Sequence, residues 1–157
     1  MSVEAQIGET WDEETGDLVE TRTDPAQIAS YVASTGVDYL AVSFGNTPGR
    51  QSGQADVDLE LIHACTLASR VPIVLHGGTS IPDAAMRAAI QFGAAKVNID
   101  TAIRQVVTEA LRAAYAPAAG AEAHATDPRR AARAVREAVR RTVLEKMHLF
   151  GSAGRFP

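Results

Sequence analysis

Residues 72–83 read PIVLHGGTSIPD, and this stretch decides the fold. The short apolar run Pro72–Leu75 is typical of a strand that is covered on both faces. Two glycines and two hydroxyl residues follow it, and Pro82-Asp83 is a common opening for a helix. A buried strand, a turn and a helix in direct succession form a βα unit, so the stretch predicts a parallel sheet with helical crossovers.

The same unit recurs on both sides of this stretch. Apolar runs predict further strands at Val3–Ile7, Tyr39–Phe44 and Lys96–Ile99. Helical spacing and capping residues predict helices from Asp24-Pro25 to Gly36, from Asp58 to Ser69 (burying Leu59, Ile62 and Leu67), from Pro82-Asp83 to Gly93, from Thr101 onward, and from Asp127-Pro128 to Phe150. Successive βα units indicate an α/β protein, either half of an eight-stranded barrel or a small open doubly wound sheet.

The composition fits one folded domain. The chain has 157 residues, of which 46% are hydrophobic and 22% charged, so we expect a single domain over 1–157. An Ala-, Pro- and Gly-rich stretch predicts an exposed connection at 116–127. The single cysteine, Cys65, lies in an apolar helical pattern and is expected to be a buried thiol.

Charge and hydropathy exclude several classes of partner. Fifteen Lys and Arg against nineteen Asp and Glu give a net charge of -4, which argues against nucleic-acid binding. The arginines of the last predicted helix alternate with an apolar stripe, so we assign them to its solvated face. No apolar run approaches the ~18 residues of a membrane span, and the first residues lack a basic, apolar leader. We therefore expect a cytoplasmic protein with no membrane partner.

The candidate functional residues follow the third and fourth predicted strands. They are His76-Gly77-Gly78-Thr79-Ser80 and Asn98-Ile99-Asp100-Thr101. Glycines let the backbone approach an anion with its N–H groups outward, and a helix N-terminus favours a phosphate. Barrels commonly bind phosphate in the loops after their last two strands. Plain turn geometry is the alternative for the two glycines. His76 alone is open to three roles: a metal ligand, a general acid or base, or a structural histidine.

Five segments together resemble the class II, zinc-dependent fructose-bisphosphate aldolases and the similar tagatose-bisphosphate aldolases. They are residues 3–8 (VEAQIG), 35–42 (TGVDYLAV), 74–82 (VLHGGTSIP), 96–101 (KVNIDT) and 150–155 (FGSAGR), in the family's order and at similar spacing. The resemblance spans nearly all of this chain but only the C-terminal half of the family's barrel. It implies a partial domain of (β/α)8 type over 1–157. It also implies a lineage activity: reversible aldol cleavage of a phosphorylated ketose to dihydroxyacetone phosphate and an aldehyde.

The resemblance implies roles for individual residues. His76 matches a zinc ligand, and zinc acts in the family as a Lewis acid that polarises the substrate carbonyl. Asn98 matches a residue that holds the reacting substrate, while Glu13 and Glu14 fall in the family's mobile acidic loop, where a glutamate assists proton transfer. The family's phosphate-binding positions, often with a monovalent cation nearby, fall on Gly49, Gly77, Thr79, Asp100 and Thr101.

The metal site departs from the family pattern. The family's glutamate ligand appears here as Gln6, and a histidine ligand expected before Gly49 appears as Pro48. A neutral amide is a poorer zinc ligand than a carboxylate, and proline is not a ligand at all. The family's N-terminal half supplies a further histidine ligand and the catalytic aspartate. Because a catalytic zinc needs about three protein ligands, His76 alone is not expected to hold one tightly.

A half barrel leaves open strand edges and an apolar inner face. We expect a second copy of the chain or a separate N-terminal half to cover them. Three hypotheses follow. The first is a protein that binds a sugar phosphate such as dihydroxyacetone phosphate, with little cleavage because the zinc site is degraded. The second is an active zinc aldehyde-lyase assembled with an N-terminal half. The third is a non-catalytic or vestigial interaction fragment.

Overall fold

The apolar runs form a parallel sheet in the computed structural model of the chain, which describes residues 1–8, 21–45, 57–116 and 127–155. The chain divides into two compact units, Met1–Ile99 and Asp100–Pro157. The elements of the first unit are β1 Glu4–Ile7, α1 Pro25–Thr35, β2 Tyr39–Val42, α2 Leu59–Ala68, β3 Ile73–Leu75, α3 Asp83–Gln91 and β4 Ala94–Val97, and those of the second are α4 Thr101–Tyr115 and α5 Pro128–Leu149. The α/β class is confirmed.

The strand order separates the two predicted architectures. The four strands lie in the order β1-β2-β3-β4, and every neighbouring pair is parallel. A doubly wound sheet reverses its strand order at a switch point, whereas a barrel adds strands in one direction. The observed order therefore favours the half barrel over the open sheet.

Capping residues set the helix ends as predicted. The Asp24 side chain accepts from the Ala26 N–H at the start of α1, and Gly36 ends that helix in the left-handed conformation, with φ of 66°. Asp58 caps α2 through the Leu61 N–H, and Asp127 caps α5 through the Arg129 N–H. The side-chain oxygens satisfy N–H groups that have no partner within the helix.

The core of the first unit lies between the sheet and the helices. Its largest fully buried side chains are Phe44, Ile28, Leu40, Ile62, Ile73, Leu75, Met86, Val74, Cys65 and Ser43. The expected burial of the Cys65 thiol is confirmed. The expected burial of Leu67 is wrong, because this side chain is 75% exposed. Leu67 lies five positions beyond Ile62, which turns it about 140° around the helix away from the core-facing side.

The fourth strand begins earlier than predicted. It runs from Ala94 rather than Lys96, directly after Gly93 with φ of 105°, and it ends at Val97 rather than Ile99. Its pairing with β3 shifts by one residue between Ile73 and Val74. The shift sets Lys96 opposite Val74, and so fixes which residues of β4 share a sheet face with β3.

The second unit contains the helices α4 and α5, which pack against each other. The arginines of α5 are all exposed, as predicted: Arg129, Arg130, Arg133, Arg136, Arg140 and Arg141. The predicted connection at 116–127 lies almost entirely outside the described residues, and the single domain over 1–157 stays a prediction. Among the helices that the structure describes, none is long and apolar enough to cross a membrane.

Candidate functional site

Four polar side chains meet from the start of β1, the residue after β3, and the end of β4 with the residue after it. We call them the Glu4 cluster: Glu4, His76, Lys96 and Asn98. The Glu4 Oε1 atom lies 3.0 Å from His76 Nε2 and accepts from Asn98 Nδ2 at 3.2 Å. The Glu4 Oε2 atom accepts from Lys96 Nζ at 2.5 Å. One carboxylate from β1 therefore joins side chains from two other segments of the chain.

Strand register explains why these side chains converge. Alternate residues of a strand share a face, so Lys96 and Asn98 lie on the same face of the sheet. His76 lies two residues beyond Val74, which pairs with Lys96, and it shares that face as well. Glu4 belongs to β1, with β2 and β3 between it and β4. Its contacts with Lys96 and Asn98 require a sheet that curls, as barrel strands do.

Backbone bonds hold the loop after β3 against the end of β4. The Asn98 N–H donates to the Leu75 carbonyl at 2.9 Å, and the Asn98 carbonyl accepts from the Gly78 N–H at 3.1 Å. A Cβ atom built on Gly78 would lie 2.6 Å from side-chain atoms of Val97 and Ile99. Glycine is needed here for space, because the loop and the strand approach so closely. The approach fixes Asn98 relative to the loop.

The charges of the cluster favour an ionised Glu4. Burial raises the pKa of the Glu4 carboxyl, but hydrogen bonds from Lys96, His76 and Asn98 and the charge of Lys96 outweigh burial. The pKa of Glu4 is therefore lowered from 4.5, its ordinary value. The carboxylate stays charged at neutral pH and acts only as an acceptor.

The predicted phosphate loop is built from glycine and buried hydroxyl residues. Gly77 has φ of 63°, a left-handed conformation that favours glycine, and Thr79 and Ser80 are buried. The Ser80 N–H and Oγ both donate to the Gly77 carbonyl, at 3.2 and 3.1 Å. The N–H groups of Gly78 and Ser80 are thus used within the protein. For these two amides the expected outward orientation toward an anion is wrong.

The loop leads directly into α3. Pro82 occupies the N-cap position of this helix and makes no side-chain capping bond, and Asp83 begins it. The N-terminal N–H groups of a helix and its dipole favour an anion. Along the chain, Gly77 and Thr79 therefore lie between His76 of the Glu4 cluster and the N-terminus of α3.

The structure brings together some of the sequence-predicted site residues. His76 and Asn98 meet in the Glu4 cluster, and Gly77 and Thr79 lie in the adjoining loop. The remaining predicted positions fall into two groups: Asp100 and Thr101 begin the second unit, while Glu13, Glu14, Pro48 and Gly49 lie outside the described residues.

Asp100 precedes α4 but makes no side-chain capping bond to that helix. It accepts instead from Arg104 Nε at 3.0 Å. Its predicted phosphate-binding role, and that of Thr101, stays a prediction.

Sequence reasoning missed Glu4 and Lys96. Both are charged residues within strands, and charges there are unusual unless they are paired. The opposite charges of Glu4 and Lys96 were the one feature of the sequence that indicated a pair. The two residues lie 92 positions apart, so no local pattern links them.

The residues that the structure describes do not fit a zinc ion. Among them, no group of three or more His, Cys, Asp or Glu side chains is arranged to hold a metal. The His76 Nε2 atom contacts Glu4, and the Gln6 side-chain amide donates to the Gly8 carbonyl at 3.1 Å. His63 packs against Phe92, with ring centroids 5.0 Å apart. His76 is therefore joined by one carboxylate, and Gln6 is turned to the backbone of its own segment.

Comparisons with known proteins identify the lineage. The family model of class II fructose-bisphosphate aldolase matches residues 1–155. The chain belongs to the class II fructose-bisphosphate aldolase family. It is 32% identical over 157 residues to the probable fructose-bisphosphate aldolase of Bacillus subtilis, covering 99% of this chain and 54% of that protein. The fructose-bisphosphate aldolase of Geobacillus stearothermophilus is also 32% identical over 157 residues, with 99% and 53% covered.

Solved structures of aldolases agree with this membership. The crystal structure of the YdjI aldolase from Escherichia coli K12 matches with a TM-score of 0.76 and 34% identity, covering 99% of this chain and 50% of that one. The fructose-bisphosphate aldolase of Campylobacter jejuni, at 22% identity and a TM-score of 0.69, shows the same fold over 96% of this chain and 52% of its own. The class II aldolase chain spans about half the length of the relatives it matches, consistent with the C-terminal half of a (β/α)8 barrel. The resemblance noted in the sequence is confirmed.

Proposed function

We propose that this class II aldolase chain binds a phosphorylated ketose or its three-carbon product, dihydroxyacetone phosphate. The observation that carries the proposal is the position of the Gly77–Thr79 loop, which lies along the chain between His76 of the Glu4 cluster and the N-terminus of α3. The loop and the helix terminus suit a phosphate, and Asn98 and His76 beside them suit the hydroxyl or carbonyl groups of a sugar. Gly49, Asp100 and Thr101 are the further phosphate contacts that we propose, with a monovalent cation nearby.

We propose that the zinc site of the family is degraded in this chain. Gln6 and Pro48 stand at two family ligand positions, and the family's remaining histidine ligand belongs to the other half of the barrel. The donor set of the described residues supports this proposal, since it offers only His76 and Glu4 in contact. Binding of the sugar phosphate is then expected with little or no aldol cleavage by this chain.

A second candidate is an active aldehyde-lyase completed by an N-terminal half. The observation that favours it is length, because the chain spans about half of the relatives it matches. In that assembly the partner supplies replacement ligands, and Glu13 and Glu14 assist proton transfer as their family positions imply. A second copy of the chain is the alternative cover for the open strand edges.

The binding proposal is tested by calorimetric titration of the 157-residue chain with dihydroxyacetone phosphate after EDTA treatment. We expect binding, and we expect Thr79→Val to weaken it at least tenfold because the variant removes a hydroxyl from the phosphate loop. Thr108→Val is the matched control, because the Thr108 hydroxyl bonds to Arg104 on the exposed face of α4. A retro-aldol assay on the same sample should show no cleavage above background.

The results that would contradict this proposal also distinguish the remaining hypotheses. Absence of binding by the wild-type chain contradicts the proposal and leaves the interaction fragment as the surviving hypothesis. Zinc-dependent cleavage that appears only after an N-terminal aldolase half is added favours the second candidate. Equal loss of affinity in both threonine variants shows that Thr79 does not contact the phosphate.

A further inference from the structure

We propose that the groove between α4 and α5 is an interface between two copies of this chain, in which α5 of each copy lies antiparallel to α5 of the other. The inference is independent of the proposed function, because it uses residues of the second unit alone and involves no ligand. It also concerns a different surface from the open strand edges of the sheet.

The two helices leave their apolar sides uncovered. Within α4 no side chain is buried, and within α5 the single buried side chain is Ala131. Leu144 of α5 is 37% exposed. Helices with one apolar side and one charged side ordinarily bury the apolar side against another element. The contact of α4 with α5 does not achieve this, so the pair has surface left for a further helix.

A groove of about 670 Å³ lies between the two helices. Much of its lining consists of small side chains: Ala110, Ala113 and Ala114 from α4, and Ala134 and Ala138 from α5. Small side chains let another helix approach to about 8 Å between the axes. The alanines alone would admit any helix, so the charges beside them must identify the occupant.

Four charged residues of α5 line the same groove, and their signs alternate along the helix. They are Arg130, Glu137, Arg141 and Glu145, all of them exposed. Their positions fall within about 80° of one another around the helix. In the reverse direction the alternation begins with a negative charge. A second α5 that lies antiparallel therefore sets opposite charges against each other, whereas a parallel one would set like charges together.

The charge pairs determine where the two helices cross. Pairing of Arg130 with Glu145 and of Glu137 with Arg141 gives two midpoints, each within about one residue of Ala138. In a register centred on Ala138, the members of each pair lie within about 3 Å of each other along the axis, a distance that arginine side chains span. Both copies contribute the same residues, so the contact is isologous and closes as a dimer.

The charges beside the groove are available to a second copy. Among the ion pairs that the described residues form, none involves Arg130, Arg141 or Glu145. Glu137 pairs with Arg140 at 3.3 Å, but both side chains are exposed, and such pairs contribute little to stability. A nucleic acid or another polyanion fits this surface poorly, because Glu137 and Glu145 would face it. The mixture of signs favours a partner with the same mixture.

Sedimentation equilibrium of the full 157-residue chain tests the proposal. Wild type should reach twice the 16.6 kDa mass of one chain, and salt should weaken the dimer because its contacts are charged. A negative variant, Arg130→Glu with Arg141→Glu, should raise the dissociation constant of the dimer at least about tenfold, since like charges then meet. A positive variant, Glu137→Arg with Glu145→Arg, should do the same. Equal amounts of the two variants should form a mixed dimer, because opposite charges meet again.

The matched control is Arg133→Glu with Arg136→Glu. It makes the same change of charge as the negative variant, but at two arginines of α5 that do not line the groove, and it should leave the dimer intact. Circular dichroism shows whether the helices persist in each variant. Recovery of a dimer on mixing also excludes misfolding as the reason for dissociation, because misfolded chains would not regain a specific contact.

A cysteine at the centre of symmetry tests the register. Ala138→Cys should form a disulfide with its own counterpart under mild oxidation, because a residue at the twofold axis faces itself. Ala132→Cys should not, although Ala132 is the more exposed of the two positions, because it lies on the other side of α5. Both variants carry Cys65→Ser, which removes the single native thiol.

The outcomes are distinct. A monomeric wild-type chain overturns the inference. A wild-type dimer that the negative and positive variants leave intact overturns it as well, since its interface then lies elsewhere, as at the open strand edges. Failure of the two variants to form a mixed dimer has the same consequence. None of these results depends on ligand binding, so they leave the proposed function untouched.

Discussion

The Oε2 atom of Glu4, in the first strand, lies 2.5 Å from the Nζ atom of Lys96, in the fourth. The two strands are at opposite edges of the sheet, so the pair spans β2 and β3 on the inner face. Because three parallel pairings separate the two strands, the contact requires a curled sheet, in which the start of β1 comes within reach of the end of β4. The ion pair thus joins the two edge strands beside His76 and Asn98, which contact the other oxygen of the same carboxylate.

Acid should weaken the protein partly through Glu4. Because the folded-state pKa of Glu4 is lowered from 4.5, its stabilising contribution is complete above that value and is lost as the pH falls through the lowered one. The free energy of unfolding should therefore fall more steeply below pH 4.5 in wild type than in Glu4→Gln. Urea titrations at a series of pH values measure this difference. Parallel pH profiles for the two proteins would contradict the charge assignment of the cluster.

Gly78→Ala should destabilise the protein and disturb the site. The new Cβ would lie 2.6 Å from Val97 and Ile99 side-chain atoms and 3.2 Å from the Asn98 carbonyl, and overpacking of this kind costs about 1–3 kcal/mol. Gly36→Ala is the comparison, because it meets no atom within 4 Å and is strained only by its φ of 66°. Chemical denaturation measures both changes. Ligand affinity should fall only for Gly78→Ala, and equal ligand affinity in the two variants would refute the steric explanation.

The capping bond of Asp58 at the start of α2 should stabilise the protein more than the ion pair of Asp58 with Arg22 does. Asp58 Oδ1 accepts from the Leu61 N–H at 2.9 Å, and Oδ2 pairs with Arg22 at 2.7 Å. Asp58→Ala removes both and should cost about 1 kcal/mol, whereas Asp58→Asn keeps the cap and loses an exposed ion pair of small value. Thermal or urea denaturation of the two variants measures which of them is less stable. The account of the helix start is wrong if Asp58→Asn is as unstable as Asp58→Ala.

Cys65 should not react while the protein is folded. Burial, together with the charges of Asp24 and Asp58, raises the pKa of its thiol to about 11, so the reactive thiolate is scarce near neutral pH. Iodoacetamide at pH 7.5 should leave the native protein unlabelled and modify one site after unfolding in guanidinium chloride. Cys65→Ser provides the blank. Rapid stoichiometric labelling of the native protein would place the thiol at the surface.

The fold was predictable where local signals were strong. Apolar runs located the four strands, and Asp24, Asp58 and Asp127 marked helix starts that the structure keeps. The start of β4 was missed because Ala94-Ala95 differs little in residue type from the alanine-rich helix that precedes it. Leu67 was misplaced because hydrophobicity alone does not say which helix face a side chain occupies.

The site was only partly predictable from the sequence. His76, Asn98 and the glycine loop stand at strand ends, where parallel sheets place their ligands. Glu4 and Lys96 became visible only in three dimensions, because strand pairing brings together charges from the two ends of the first unit. A charged residue inside a strand indicates that it needs an oppositely charged partner, but the sequence does not show which residue that partner is.

Zinc titration of the 157-residue chain, with and without dihydroxyacetone phosphate and followed by a retro-aldol assay, tests the central claim most directly. The claim is that the chain keeps the phosphate side of a class II aldolase site but not its metal side. It predicts phosphate-ester binding in EDTA, no stoichiometric zinc binding tighter than about 1 μM, which corresponds to roughly -8 kcal/mol, and no cleavage. One equivalent of zinc bound more tightly than that, together with cleavage of fructose bisphosphate, would contradict it.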